Sequence, residues 1–335
     1  MGKLTSWLFK EPEECVCIPL DKIILIIFKI IYLTSRILLR IALGRKRRDK
    51  IFSQLDISIL NGYFSVPLYL YLFLYKSLKF FGIDRSSSKP SFRLLKVSMP
   101  RYNSKLYCRV DTNDYFVIRE TDIIDRFGPK QGDIAVDVGA HIGRYTIISS
   151  KRVGPNGKVV AIEANPENFE MLKKNIQLNG LTNVTALNYA VNSKEEQESQ
   201  LKLYLPGEEV GYTIYNTIMT NRANPIEDKF VEVNAATLDN LLLQQQQQNG
   251  GIRQKEINWI KIDVEGAEFE VLKGATNVLS KSKDITLLIE VHNLHDGTNH
   301  YKDITDFLSS YEFKIHYEKT HASGEKHIIL RKSIL

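Results

Sequence analysis

Gly132-Asp-Ile-Ala-Val-Asp-Val-Gly-Ala-His-Ile-Gly-Arg-Tyr-Thr146, followed by Gly157-Lys-Val-Val-Ala-Ile-Glu-Ala-Asn-Pro166, decides how this chain is read. Ile134 to Val138 is a short apolar, β-branched run of the kind that forms a strand buried on both faces. It ends in a turn holding Gly139 and Gly143, and a helical pattern starts at Ile142. Small residues in such a turn let a ligand approach the backbone. A second strand, Lys158 to Ile162, ends in Glu163, 26 residues after Asp137. That is near the offset at which an acid meets ribose hydroxyls in nucleotide-binding βαβ units.

The glycine order separates two cofactor classes. A dinucleotide fingerprint needs G-x-G-x-x-G, so that a helix N-terminus can hold a pyrophosphate, and Asp137-x-Gly139-x-x-x-Gly143 lacks it. Asp137 would also repel a phosphate. An acid at the strand end suits a cationic, phosphate-free ligand, and S-adenosylmethionine, with its ammonium and sulfonium charges, is one. The plain reading of the glycines is a tight strand-to-helix turn that needs them for packing.

Outward from this core, strands and helices alternate. Strands are read at Asp133 to Val138, Lys158 to Ile162, Val184 to Asn188, Phe230 to Asn234, Asn258 to Ile262 and Ile285 to Val291. Helical patterns lie at Ile142 to Lys151, Pro166 to Asn179, Leu238 to Gln245, Glu265 to Lys273 and Tyr301 to Ser310. This is the α/β pattern of a mostly parallel sheet with helices on both faces. Phe313 to Tyr317 and His327 to Arg331 add an antiparallel C-terminal edge, while Lys105 to Val110 and Tyr115 to Ile118 form a small strand layer ahead of the sheet. Gln244 to Gln248, with Asn249-Gly-Gly251, reads as a surface loop.

Six blocks in one order then resemble a known family. Asp137-Val-Gly-Ala-His-Ile-Gly143, Glu163-Ala-Asn-Pro-Glu-Asn168, Asn188-Tyr-Ala-Val191, Thr237-Leu-Asp239, Ile260-Lys-Ile-Asp-Val-Glu-Gly-Ala-Glu268 and Ile289-Glu-Val-His292 follow one another as in the FkbM-type S-adenosylmethionine-dependent methyltransferases. The resemblance spans residues 105 to 332. It departs at His141, where the family commonly has Asn, and at Ala164, where it often has Pro; neither change removes an acid or a glycine. The resemblance implies a class I methyltransferase Rossmann-like sheet, S-adenosyl-L-methionine as cofactor, and O-methylation. It also implies that Asp137, Gly139, Ala140, His141, Gly143, Glu163, Asn165, Ala190, Val191 and Asp263 line the cofactor. Asp137 and Gly139 would face its amino-acid part, Glu163 its ribose hydroxyls, and Ala190 and Val191 its adenine. Asn165 before Pro166 also reads as a helix N-cap.

Asp263-Val-Glu265-Gly266 follows the strand that ends at Ile262 and belongs to the acceptor side of the cleft. Asp263 is placed to hold the cofactor or an attacking hydroxyl, and Glu265 to act there or to cap the next helix. Glu290 and His292 alternate on one strand and share a face near its end. His292 is the candidate general base, against the plain reading of a hydrogen-bonded histidine. His295 and His300 follow in a loop, and no Cys/His cluster has metal-ligand spacing, so no metal is expected.

Charge and hydropathy divide the 335 residues. Residues 1–90 carry 15 Lys/Arg against 7 Asp/Glu; the remainder carries 30 against 32. The chain is therefore read as a basic, apolar helical extension, 1–90, and a catalytic domain, 91–335, joined at Ser86-Ser-Ser-Lys-Pro90. A mildly acidic catalytic domain argues against a nucleic-acid substrate. Ile23 to Leu43, with Lys22, Lys29, Arg36 and Arg40 along one side, suits a helix lying at a membrane interface or packed on its own domain. Arg45-Lys-Arg-Arg48 would attract anionic lipid. Ile57 to Tyr75 has the length of a spanning helix, but Asn61, Gly62 and Pro67 interrupt it. Two spans would place either the enzyme or the basic cluster on the wrong side, so residues 20–81 are expected at an anionic membrane surface, on its cytoplasmic face. Cys15, Cys17 and Cys108 form no disulfide framework and fit a reducing compartment.

The expected function is methyl transfer to a hydroxyl of a small molecule, sugar or lipid-linked glycan. The alternatives are a nucleic-acid or protein methyltransferase, and an inactive scaffold that keeps the fold at a membrane. No Asn/Asp-Pro-Pro motif follows the fourth strand, against amino-group methylation, and the intact Asp137, Gly139, Glu163 and Asp263 argue against the scaffold.

Overall fold

The computed structural model describes residues 56–60, 63–64, 94–109, 114, 122–193, 199–205, 217–218, 229–249, 257–294 and 296–332. The apolar segment 23–43, the basic cluster 45–48, the linker 86–90, the expected strand 115–118 and His295 lie outside the described residues. The chain divides into two units, residues 1–55 with 64–87 and residues 56–63 with 88–335; all that follows concerns the second.

Its strands open with β1 (Asp56–Leu60), β3 (Leu94–Met99) and β4 (Ser104–Arg109), while β2 (Tyr63–Phe64) falls at the division between the two units. The start of the second apolar candidate, Ile57 to Tyr75, is thus extended rather than helical. Its alternating Ile57 and Ile59 suit a strand, and Asp56 to Ser58 pair in parallel with Lys96 to Ser98. Among the described residues no helix is long and apolar enough to cross a membrane.

The main sheet takes β5 (Ile134–Val138), β6 (Lys158–Ile162), β7 (Val184–Leu187), β11 (Ile257–Ile262), β12 (Ile285–Val291), β13 (Lys314–Thr320) and β14 (Lys326–Lys332). Their order is β13-β14-β12-β11-β5-β6-β7. The strands β12, β11, β5, β6 and β7 pair in parallel, and β14 runs antiparallel to both β12 and β13. This is the class I methyltransferase sheet expected from the sequence. Parallel strands covered on both sides need apolar residues at consecutive positions, and Ile285–Val291 is buried throughout except at Glu290.

Alternate residues face opposite layers. Val136, Val160, Ile260, Leu287 and Ile289 pack with Leu241, Leu242, Val271, Val278 and Ile304, from α4 (Leu238–Asn249), α5 (Glu268–Lys273), α6 (Thr276–Lys281) and α7 (Tyr301–Ser309). On the other face Ala135, Val159, Trp259 and Leu288 meet Ile124 of α1 (Asp122–Phe127) and Ile148 and Val153 of α2 (Arg144–Val153). Leu172 of α3 (Pro166–Leu178) covers Ala161 on that side. Helix α4 continues through the glutamine run to Asn249, where a loop was expected, because Gln is a good helix former and Gln245 is buried.

The expected strand Phe230 to Asn234 exists but belongs elsewhere. It lies in β10 (Lys229–Ala236), which sits between β8 (Ala190–Val191) and β9 (Ser199–Leu205) in a separate three-stranded sheet. Its exposure alternates from Val231 to Asn234, the pattern of a strand with one wet face, whereas the main-sheet strands are buried on both.

Candidate active site

The carboxyl ends of β5, β6, β11 and β12 are level. Asp137 stands opposite Lys261 and Ala161, and Ile262 opposite Val138 and Ile289. The segments that follow these strands are fastened across the gap: Gly139 and Ala140 both donate their N–H to the Ile162 carbonyl at 3.0 Å, and the Asp263 N–H donates to Val138 at 3.1 Å. In a parallel sheet this edge is where ligands bind.

Gly139 has φ +77°, and a Cβ there would lie 1.8 Å from the Asp263 carbonyl oxygen. Gly143, at φ +95°, would place its Cβ 2.6 Å from Leu172. Both glycines are therefore required by internal packing, the plain reading of this turn. Gly139→Ala is expected to cost about 1–3 kcal/mol from overpacking; urea denaturation checks it, and an unchanged midpoint would mean that β5 and β11 can separate freely.

Glu163 is nearly buried and already oriented. Its Oε2 accepts the N–H of His141 at 2.7 Å; its Oε1 accepts the N–H of Asn165 at 2.9 Å and Nδ2 of Asn168 at 3.4 Å. Burial raises its pKa, and the surrounding donors oppose that shift. A carboxylate has about four acceptor sites, three of them used here, which leaves capacity for one ribose hydroxyl. Asn165 is the N-cap of α3: its Oδ1 accepts from the N–H of Glu167 at 2.8 Å and of Asn168 at 3.4 Å. Ala190 and Val191 are buried in β8, paired with Ala235 and Ala236.

His141 takes a left-handed φ of 51°, which turns its N–H onto Glu163, while its Nε2 lies 3.4 Å from Asp114 Oδ1. Asp114 in turn receives Arg109 Nε at 2.9 Å and Nη2 at 3.0 Å, and Nη2 also donates to Asn168 Oδ1 at 2.6 Å. Burial pushes the Asp114 carboxyl up, but His141 and Arg109 outweigh it and hold it well below the usual carboxylate range. This buried pair supports the Glu163 loop from beneath.

Asp137 is fully buried, with Oδ2 accepting from Thr146 Oγ1 at 2.6 Å. Its Oδ1 lies 3.5 Å from Lys261 Nζ, which also reaches Asp263 Oδ2 at 3.1 Å and donates to the Gly139 carbonyl at 2.9 Å. Burial lowers the Lys261 pKa, but Asp263 and Asp137 raise it by more, so the amine stays charged. Tyr145 carries Arg144 and Lys261 near its ring, 4.9 to 5.0 Å from the centroid. Arg144 is buried, and its three guanidinium nitrogens have no hydrogen-bond partner among the described residues. A buried guanidinium without an anion is costly.

On the other side of Lys261 the acceptor-side residues converge. One ligand atom each of Asp263, Glu265 and His292 lies within 4.8 Å of the others. His292 is buried, its Nδ1 2.8 Å from Glu268 Oε1. Its Nε2 faces Glu265 at 3.5 Å, Asp263 at 3.7 Å and Glu290 at 3.9 Å. Burial lowers the His292 pKa, but Glu265, Glu268 and Glu290 raise it well above the usual value. Asp263 is pushed up by burial and, more strongly, down by Lys261 and His292. Helix α5 starts at Glu268, not Glu265; its N-cap is Ala267, with no side-chain capping bond, and Glu268 Oε1 accepts from the Gly266 N–H of the preceding turn at 2.9 Å. His300 instead faces Asp303, 3.1 Å from its Nδ1.

The residues missed in the sequence are Lys261, Arg109 with Asp114, Arg144 and Glu268. The signal for Lys261 was present, since a lysine inside Ile257-Asn-Trp-Ile-Lys-Ile262 sits in an otherwise buried strand.

The chemistry fits S-adenosylmethionine. Acids at Asp137 and Asp263 suit its ammonium, the orphaned Arg144 suits its carboxylate, and Glu163 suits its ribose. The Methyltransferase FkbM domain model matches residues 137–315. "Methyltransferase 1" of Beauveria bassiana is 28% identical over 153 residues, 42% of this chain and 57% of that protein. "Hexuronic acid methyltransferase AglP" of Haloferax volcanii is 26% identical over 201 residues, 60% of this chain and 71% of that protein. The chain thus spans little more than half the length of the fungal relative. The crystal structure of Methyltransferase FkbM from Methylobacillus flagellatus KT has 16% sequence identity and a TM-score of 0.40, covering 61% of this chain and 44% of that one.

Proposed function

This chain belongs to the FkbM methyltransferase family, and we propose from that premise that it transfers a methyl group from S-adenosylmethionine to a hydroxyl of a sugar. The observation that carries this reading is the division of the strand ends by Lys261, with Asp137 and Glu163 on one side and Asp263, Glu265 and His292 on the other. Similarity to a hexuronic acid methyltransferase supports a sugar acceptor.

S-adenosylmethionine supplies an electrophilic methyl carbon when bound. The protein's residues hold and align. Glu163 accepts from the ribose, Arg144 meets the carboxylate, and Asp137 with Asp263 faces the ammonium. Most of the rate then comes from holding the acceptor oxygen in line with the methyl carbon. The Asp263 side chain, 26% exposed, is the accessible carboxylate of the acceptor wall and takes the hydroxyl proton. His292, kept as an imidazolium by the carboxylates around it, orients that wall rather than serving as the base expected from the sequence.

The test incubates the full chain with methyl-labelled S-adenosylmethionine and a panel of sugars that includes hexuronic acid glycosides. Label in an alkali-stable methyl ether is the expected product. An alkali-labile ester would move the acceptor atom to a carboxylate, and no label in any sugar, despite bound cofactor, would overturn the sugar reading.

A further inference from the structure

The Asp263, Glu265 and His292 cluster is more than an acidic patch, because its imidazole is aimed. Glu268 is buried, and its Oε1 is fixed by the N–H groups of Gly266 at 2.9 Å and Val264 at 3.4 Å. That same oxygen lies 2.8 Å from His292 Nδ1, which holds a ring proton on Nδ1 and turns Nε2 toward Asp263 and Glu265, where an ion would take the place of the Nε2 proton. A carboxylate behind an imidazole whose other nitrogen is presented to a cluster of acids is the arrangement that orients a metal-binding histidine.

The distances favour a shared occupant over direct bonds. From Nε2 the carboxylate oxygens of Glu265, Asp263 and Glu290 lie at 3.5, 3.7 and 3.9 Å, all beyond an ordinary hydrogen bond. Ligand atoms held about 2.0–2.4 Å from one ion lie at most about 4.8 Å apart, and the three ligand atoms here meet that limit. Two of them belong to one turn after β11 and the third to the end of the neighbouring β12, so the sheet sets their spacing. Within that turn Glu265 holds φ 55° beside Gly266 at φ 100°. Four carboxylates, Asp263, Glu265, Glu268 and Glu290, surround the imidazole, with Lys261 beside Asp263.

We propose that Asp263, Glu265 and His292 form a divalent-cation site of the magnesium and manganese class, with Glu268 as the residue that positions His292. Two carboxylates and water suit such ions, and the imidazole adds a nitrogen ligand that zinc and iron also accept. Three protein ligands leave positions of an octahedral ion for water or for acceptor oxygens, so the ion would hold the acceptor hydroxyl; that role rests on the methyl-transfer reading. With the ion present, it supplies the positive charge of the wall and His292 binds as the neutral ring.

Manganese alone is the probe, titrated into the full chain and followed by electron paramagnetic resonance, with cofactor binding measured separately by calorimetry. The expected result is one bound manganese ion per chain, displaced by excess magnesium. His292→Ala and the near-isosteric Glu265→Gln should each weaken it at least tenfold while leaving S-adenosylmethionine affinity within about twofold, which also shows that the variants fold. Cofactor binding without manganese binding overturns the cation site, as does manganese binding that both variants retain. Manganese binding without cofactor binding keeps the cation site and overturns the methyl-transfer reading instead.

Discussion

Arg109→Ala is expected to destabilise the domain by about 3–5 kcal/mol, the usual consequence of removing one partner from a buried ion pair. Arg109 is 1% exposed and Asp114 fully buried, and the two share a bidentate contact at 2.9 and 3.0 Å. Without the guanidinium, the Asp114 carboxylate keeps its desolvation penalty and loses two charged donors, retaining the backbone N–H of residue 109 at 2.7 Å and His141. The pair also titrates in a predictable direction. Asp114 has a folded pKa held below its unfolded value of about 3.9. Its contribution is therefore present above that value and disappears as pH falls through the lower folded one. Urea denaturation at neutral pH and near pH 3 measures both effects. The wild-type chain should lose stability on acidification, and Arg109→Ala should lose less of it. A neutral-pH difference below about 1 kcal/mol would show that the pair is worth no more than a surface ion pair.

Glu163→Ala is expected to weaken S-adenosylmethionine about 100-fold, or about 2.8 kcal/mol. A hydrogen bond to a charged acceptor is worth roughly 1.5–3 kcal/mol, and the one to the ribose is at stake. The substitution also strips an acceptor from the N–H groups of His141 and Asn165, loosening the loop that presents the site. Glu163→Gln separates the two effects, since its remaining carbonyl oxygen keeps one of these bonds. Calorimetry on the full chain reads the affinity. A Glu163→Ala chain that binds within threefold of wild type would remove Glu163 from the cofactor site. Because burial raises the Glu163 pKa, affinity should also begin to fall on acidification at a higher pH than for an ordinary glutamate.

Much of this architecture was readable because it depends on local signals. Ile134 to Val138 and Ile285 to Val291 had to be doubly buried strands, and Asn165-Pro166 had to start a helix. Partnership was not local. Phe230 to Asn234 announced a strand, yet nothing in its alternation said that it would pair with Ser199–Leu205 outside the main sheet. The candidate site divides in the same way. Asp263, Glu265 and His292 were each visible at a strand end, but their convergence depends on β11 and β12 being neighbours in register. Arg109 lies in an expected strand and Asp114 just beyond it, and nothing there signals a pair, because burial, which makes them one, is a property of the folded chain. Glu268 was hidden by the helix signal around it, which the sequence pattern starts at Glu265 and the structure starts at Glu268 itself.

Lys261 divides a single charge between Asp137 at 3.5 Å and Asp263 at 3.1 Å. A positive group arriving beside either acid competes with this amine and leaves it freer to serve the other acid. The two halves of the cleft therefore exchange free energy through one side chain. By reciprocity, whatever the first occupant does to the affinity of the second, the second does to the first. The order in which the halves fill is then a thermodynamic preference carried by a lysine that touches neither reacting atom.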